Sequence, residues 1–139
     1  MSTHEKKTFD QVYSYADHYS KLPWAHDHPS RFIDEIAASQ PSGKVLDIGC
    51  GGGTDSVYMA AQGWQVTALD FVSKALEMTS QRAAEQGLTV ATIEADIITW
   101  KPTDRFDLVL DHGLLHNMDP VRHSAYREQL MQCMVPGGV

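Results

Sequence analysis

Four aspartates, one histidine and a run of glycines carry the chemistry available to this chain. The segment Val45-Leu46-Asp47-Ile48-Gly49-Cys50-Gly51-Gly52-Gly53 reads as a buried strand that breaks into a glycine turn, with an amphipathic helix directly after it. Glycine is needed where the backbone takes positive φ or a ligand approaches closely. Strand, turn and helix in that order put a ligand at the helix N-terminus, where unpaired amides and the dipole favour anionic groups. The pattern is D-x-G-x-G-x-G. A dinucleotide fingerprint starting at Gly49 would need glycine at position 54, and Thr54 stands there. That disfavours an NAD-dependent oxidoreductase. The acid two places before the first glycine favours a ligand with a positive amino group over a pyrophosphate.

The other carboxylates fall at comparable points. Asp70 closes a second strand, Gln65–Asp70. An acid there can accept both ribose hydroxyls of a bound nucleoside. Its structural alternative is to face the N-terminus of the next helix, worth ~0.3–1 kcal/mol. Asp96 follows a third strand in Glu94-Ala95-Asp96-Ile97, where a solvated loop carboxylate is the plain reading. Asp47 is buried by its neighbours, and a buried carboxylate without partners costs several kcal/mol. A fourth strand, Phe106–Leu110, runs out into Asp111-His112-Gly113-Leu114-Leu115-His116. His112 and His116 are four apart and could share a helical face around a metal. Gly113 weakens a helix there and no H-E-x-x-H pattern is present. The expectation is therefore no metal, with the histidines either lining a pocket or serving as loop structure.

Alternating elements must position these groups. Phe9, Val12, Tyr13 and Ala16 have helical spacing, and Leu22-Pro23-Trp24 breaks that helix. A second helix begins near Pro29, with Phe32, Ile33, Ile36 and Ala37 on one face, and ends at Pro41-Ser42-Gly43. Strand one is Lys44–Ile48. A helix over about 54–62 stops at Gly63. Another starts behind Ser73 as N-cap and stops at Gly87. Strand three is Thr89–Glu94. A last helix starts at Asp119-Pro120, an N-cap followed by proline at the first helical position, with Tyr126, Leu130, Cys133 and Met134 on one side. This order predicts an α/β fold, a doubly wound, mostly parallel sheet with helices on both faces. Ligands in such sheets sit beyond the carboxyl ends of the strands.

Composition narrows the partners. The 139 residues suit one domain, and 42% are hydrophobic, enough for a core. Eighteen acidic residues against eleven basic give a net charge of −7. That argues against gripping nucleic acid through its phosphates. The longest apolar runs are too short for a membrane span, and the first residues lack an apolar signal region. Two cysteines form neither a disulfide framework nor a zinc pattern, so a cytoplasmic location is expected.

The glycine turn and the strand-end acids downstream of it resemble the first motifs of class I S-adenosylmethionine-dependent methyltransferases. Tyr19, Leu22-Pro23-Trp24, His28-Pro29-Ser30 and Gly53-Thr54-Asp55 sharpen this to the thiopurine, halide and thiol methyltransferase and tellurite-resistance-like branch. The resemblance runs from about Tyr19 to the last residue. It implies a Rossmann-like domain over 42–139 with an N-terminal helical cap segment over 1–41. It implies S-adenosyl-L-methionine as cofactor and S-adenosyl-L-homocysteine as product. It implies cofactor contacts from Trp24, Asp47, Gly49, Cys50, Gly51, Gly53, Asp55, Asp70, Phe71, Asp96, Ile97 and Asp111. Asp70 would take the ribose, Asp96 the adenine amino group with Ile97 lining the ring, and Asp47 the methionine amino end with ordered water. Trp24 would fold over the cofactor, or act as a hydrophobic anchor. Asp111 and His112 would face the methyl acceptor as catalytic residues.

The strand-four tract lacks the [N/D]-P-P-[Y/F] residues used on exocyclic amines of nucleic acids or glutamine, and the Pro-Cys nucleophile of cytosine-C5 enzymes. These absences agree with the acidic charge in disfavouring a nucleic-acid substrate, and no membrane partner is expected. The resemblance, through the Pro-Trp segment and the glycine-turn details, implies a small-molecule acceptor, a thiol or other soft nucleophile. Val135-Pro136-Gly137-Gly138-Val139 resembles the turn into strand five. Only strands in the order 3-2-1-4 can be built, with strands five to seven missing. Strand four would be a bare edge, either because the chain is a piece of a longer one or because a second copy covers it in a homodimer.

Overall fold

The computed structural model describes residues 11, 30–111, 114 and 118–139. The first helix expected around Phe9 to Ala16, and Trp24, His112 and His116, lie outside the described residues. The elements are α1 (Arg31–Ser39), β1 (Lys44–Ile48), α2 (Thr54–Ala61), β2 (Gln65–Asp70), α3 (Ser73–Glu85), β3 (Ala91–Glu94), β4 (Leu108–Asp111), a 3-10 turn (Pro120–Arg122) and α4 (His123–Cys133).

All strand pairings are parallel and the sheet order is β3-β2-β1-β4. Val45, Leu46, Asp47 and Ile48 of β1 are all buried, as a central parallel strand covered on both faces requires. Side-chain alternation splits β1 between two cores. Val45 joins Val66, Leu108 and Leu110 with Ile33, Met59 and Trp64 on one face. Leu46 and Ile48 join Leu69, Ile97, Phe106, Met118, Tyr126 and Cys133 on the other. The first face carries α1 and α2, and the second carries α4. α3 packs on β2 and β3 and against α2. This is the doubly wound arrangement.

Register fixes where the site can be. Ile48 is level with Leu69 in β2 and with Asp111 in β4. Asp70 is level with Glu94 in β3. The carboxyl ends of the four strands therefore form one rim, with Gly49, Asp70, Asp96 and Asp111 along it.

Several boundaries and faces differ from expectation. Ser73 is the first residue of α3, not its N-cap, and Val72 holds the cap position. The reason is local: the Val72 carbonyl already accepts from Ala75 N at 3.1 Å, so the helix opens one residue earlier. β3 begins at Ala91, where its pairing with Thr67 begins. Phe106 is outside β4, making a single parallel bridge to Met134. Phe32 is 64% exposed, so the apolar face of α1 is narrower than its periodicity suggested. The edge of β4 is not bare. Val109 N donates to Val139 O at 2.8 Å, and Val139 N donates to Asp107 O at 3.1 Å. At Asp119-Pro120 the chain enters a 3-10 turn, with the Asp119 side chain accepting from Val121 N, before α4 begins at His123.

The turn after β1 is the tightest part of the fold. Gly49, Gly51 and Gly53 have φ of 69°, 57° and 90°. These are the three alternating glycines of the motif. At Gly53 a Cβ would also meet Thr79 of α3, at 2.8 Å from its Oγ1 and 2.9 Å from its Cα. Gly53→Ala combines left-handed strain with a backbone clash, each of order 1–3 kcal/mol. A thermal melt should show a loss of several degrees. An unchanged melting temperature would contradict the packing.

Candidate functional site

The rim of strand ends gathers four carboxylates around the glycine turn. Each has its own environment, set by the strand that delivers it. Asp47 is 1% exposed. Its Oδ2 accepts the Ser56 hydroxyl at 2.6 Å, from the first turns of α2. A buried carboxylate needs such compensation, because desolvation alone would cost several kcal/mol. Asp55, in the first turn of α2, is 7% exposed and faces the favourable end of the helix dipole. Thr54 beside it accepts from the buried Arg82 guanidinium at 2.7 Å, which ties α3 to the start of α2.

Asp70 is 6% exposed. Its Oδ1 accepts from Val72 N at 3.0 Å and its Oδ2 from Gly51 N at 3.3 Å. Burial still outweighs these amides and pushes its carboxyl up to about 6. Cys50 turns inward, 8% exposed, with its sulfur 3.4 Å from Thr79 Oγ1 and 4.0 Å from Asp70 Oδ2. Burial, then the Asp70 and Asp47 charges, hold the thiol protonated. Cys50 is thus a packing group whose backbone belongs to the turn. Thr79 also donates to the Gly51 carbonyl at 3.3 Å. Phe71 is half-buried next to Asp70.

Asp96 lies just past β3. Its Oδ1 accepts from Ile98 N at 3.0 Å and its Oδ2 pairs with Arg122 at 2.9 Å. Ile97 is 1% exposed and its side chain packs into the core beneath the rim. Asp111 at the end of β4 accepts from Leu114 N at 2.7 Å and from Tyr126 OH at 2.6 Å. Burial and the neighbouring Asp111 charge raise the Tyr126 phenol strongly, so Tyr126 is the donor. Leu114 also approaches the turn: a Cβ at Gly49 would lie 3.4 Å from Leu114 Cβ.

The structure thus brings Asp47, Gly49, Cys50, Gly51, Gly53, Asp55, Asp70, Phe71, Asp96 and Asp111 to one end of the sheet. Trp24 and His112 lie outside the described residues. Sequence reasoning did not find Ser56, Thr79, Arg82 or Arg122. Each acts on a group far away in sequence, and no short motif announces it.

The residues present fit a cofactor with a nucleoside and an amino-acid end. Asp70 carries the clearest sign. Burial outweighs the backbone amides of Val72, Gly51 and Phe71 on its carboxylate, and vicinal hydroxyls are donors that would add to them. The fold and the rim together define a Rossmann-like nucleoside-cofactor domain. Similarity to known proteins narrows it. A family described as a methyltransferase domain matches residues 45–138. The chain belongs to that family, and it is a class I domain dependent on S-adenosylmethionine. It is 31% identical over 121 residues to 2-heptyl-1-hydroxyquinolin-4(1H)-one methyltransferase of Mycobacteroides abscessus, covering 85% of this chain and 53% of that one. It is 28% identical over 120 residues to thiocyanate methyltransferase 1 of Arabidopsis thaliana, covering 84% and 53%. A solved structure from work on the conversion of a disulfide bond into a thioacetal group during echinomycin biosynthesis superposes with a TM-score of 0.83 at 33% identity, covering 97% and 58%. The chain spans about half the length of the curated relatives it matches. No helix among the described residues is long and apolar enough to cross a membrane.

Asp70 gives a pH prediction. Its native carboxyl, near 6, lies above the unfolded value near 3.8. The native state therefore binds the proton more tightly, and ionising Asp70 costs stability as pH rises from about 4 through about 6. At pH 7 the cost is about 3 kcal/mol. Asp70→Asn should be more stable than wild type at pH 7 in urea melts, by about 1–3 kcal/mol, with the gap closing by pH 4. A less stable Asn variant at pH 7 would contradict the burial argument.

Proposed function

We propose that this chain carries the cofactor site of a methyltransferase acting on a small molecule, with a thiol or other soft nucleophile as acceptor. The methyl group would pass by direct in-line displacement. The observation that carries the reading is the rim itself, where Asp47, Asp70 and Asp96 flank a turn of three positive-φ glycines. In this reading Asp70 takes the ribose, Asp96 the adenine amino group, and Asp47 the methionine amino end with ordered water. Trp24 covers the cofactor, and backbone amides at the start of α2 face the methionine carboxylate.

Bound S-adenosylmethionine supplies a methyl group already activated on a sulfonium. The protein's task is to align the acceptor and exclude water. A thiol is close enough to its own pKa, about 8.5, to react without a dedicated base. An oxygen acceptor needs one, and His112, beside Asp111, is the candidate. The acceptor class draws on the Pro-Trp segment and on similarity to a thiocyanate methyltransferase. The hydroxyquinolinone named for the other relative makes hydroxyl groups the competing class. A second reading is a cofactor-binding module without turnover. A cytoplasmic location completes the proposal.

The test is methyl transfer from labelled S-adenosylmethionine to panels of thiols, phenols and amines, with products identified by mass spectrometry. Thiol methylation fastest among the panels is the expected result. Transfer confined to hydroxyls would overturn the acceptor class, and binding without any transfer would favour the second reading. His112→Ala should leave S-adenosylhomocysteine affinity within about twofold while cutting turnover on a hydroxyl acceptor ~100-fold or more. A loss confined to cofactor affinity would contradict its place at the acceptor.

A further inference from the structure

Three residues at the end of the described chain reach back to the rim from a single helical face. Arg122 closes the 3-10 turn, and Tyr126 and Gln129 follow it at i+4 and i+7. The Arg122 guanidinium pairs with Asp96, the Tyr126 hydroxyl donates to Asp111, and the Gln129 amide donates to the Trp100 carbonyl. Asp96 and Trp100 belong to the segment after β3, and Asp111 ends β4. These two points of the rim are therefore held from the sheet's second face, by the 3-10 turn and the helix that follows it. Asp96 is held locally by the Ile98 amide and also by a residue 26 places away.

The Asp96–Arg122 contact is unlike an ordinary surface ion pair. Both side chains are only about one-fifth exposed, at 21% and 22%. The two Asp96 oxygens are held separately, one by the Ile98 amide and one by the guanidinium. Two anchors on two oxygens fix both the plane and the direction of the carboxylate. A carboxylate oxygen can accept more than one hydrogen bond. The arginine also supplies a permanent counter-charge, which lowers the cost of covering Asp96 with an aromatic base.

We infer that Arg122 is a positioning residue for base recognition: by clamping Asp96 from the α4 side, it sets the direction in which that carboxylate meets the exocyclic amine of adenine. This rests on the adenine role proposed for Asp96. Arg122 acts through Asp96 and needs no contact with the cofactor. Its removal should therefore cost affinity for the amine in particular, and not for the nucleoside as a whole.

The experiment compares S-adenosylhomocysteine with its analogue lacking the adenine amino group, by calorimetry on the whole chain. A hydrogen bond to a charged acceptor corresponds to roughly 10- to 100-fold in affinity, which is the preference expected of wild type for the amine. In Arg122→Ala that preference should fall to about threefold or less. Arg122→Lys, which keeps the charge but loses the planar fork, should fall between the two. If the alanine variant does not fold, the lysine variant carries the test. An undiminished preference, even with both affinities lowered together, would overturn the inference and leave Arg122 a structural tie. A wild-type preference near one would overturn it by removing the adenine role of Asp96. No binding of S-adenosylhomocysteine by folded wild type would instead overturn the proposed function itself.

Discussion

The chain must leave β1, turn and start α2 through the residues from Gly49 to Gly53. That constraint organises the rest of the molecule. Gly49, Gly51 and Gly53 meet it with positive φ at alternating positions. A turn of glycines is loose unless something holds it, and here the neighbours do. Thr79 of α3 sits against Gly53, donates to the Gly51 carbonyl, and contacts the Cys50 sulfur. Asp70 at the end of β2 takes the Gly51 amide. Gly49 N donates to Leu69 O, extending the β1–β2 ladder one step past the strand. The turn is thus a product of β2 and α3 as much as of its own residues.

The same groups show a tension between stability and binding. Asp70 is buried enough to resist ionisation, yet its proposed role needs the ionised form. A residue kept under-compensated in the ligand-free protein gains most when donors arrive. Asp47 is treated differently. It lies deeper and has a short bond from Ser56, so part of its stabilisation is built in. Asp96 and Asp111 are held from the opposite face by Arg122 and Tyr126. The rim is therefore assembled from both layers of helices.

Much of this was legible from residues alone. β1 and β2 were readable to the residue, because both are short apolar runs bounded by glycine or by an acid. The three positive-φ glycines were readable because few other residues adopt that region. The sheet order followed from the resemblance and matched. What failed was set by distant contacts. Ser73 looked like a cap, but the helix already opens at the Val72 carbonyl, which accepts from Ala75 N. Phe32 had the right spacing for the core, yet it lies at the exposed margin of the α1 stripe. The β4 edge looked bare because Val139 pairing depends on a turn at Pro136-Gly137 that brings the chain back. Arg122, Ser56 and Thr79 carry no motif at all. Their partners are spatial neighbours, and periodicity reports only which face of an element is apolar.

The central claim is that the cofactor sits on the rim formed by the glycine turn and the strand-end carboxylates. An amide-resolved NMR titration with S-adenosylhomocysteine tests it most directly. Perturbed amides are predicted at Gly49 to Gly53, at Phe71 and Val72, and from Asp96 to Ile98. Little should change around the cleft of about 560 Å³ at the opposite end of the sheet, lined by Ser42, Lys44, Gln65 and Arg105 among others. Perturbations confined to that opposite end, or a folded protein with none at all, would contradict it.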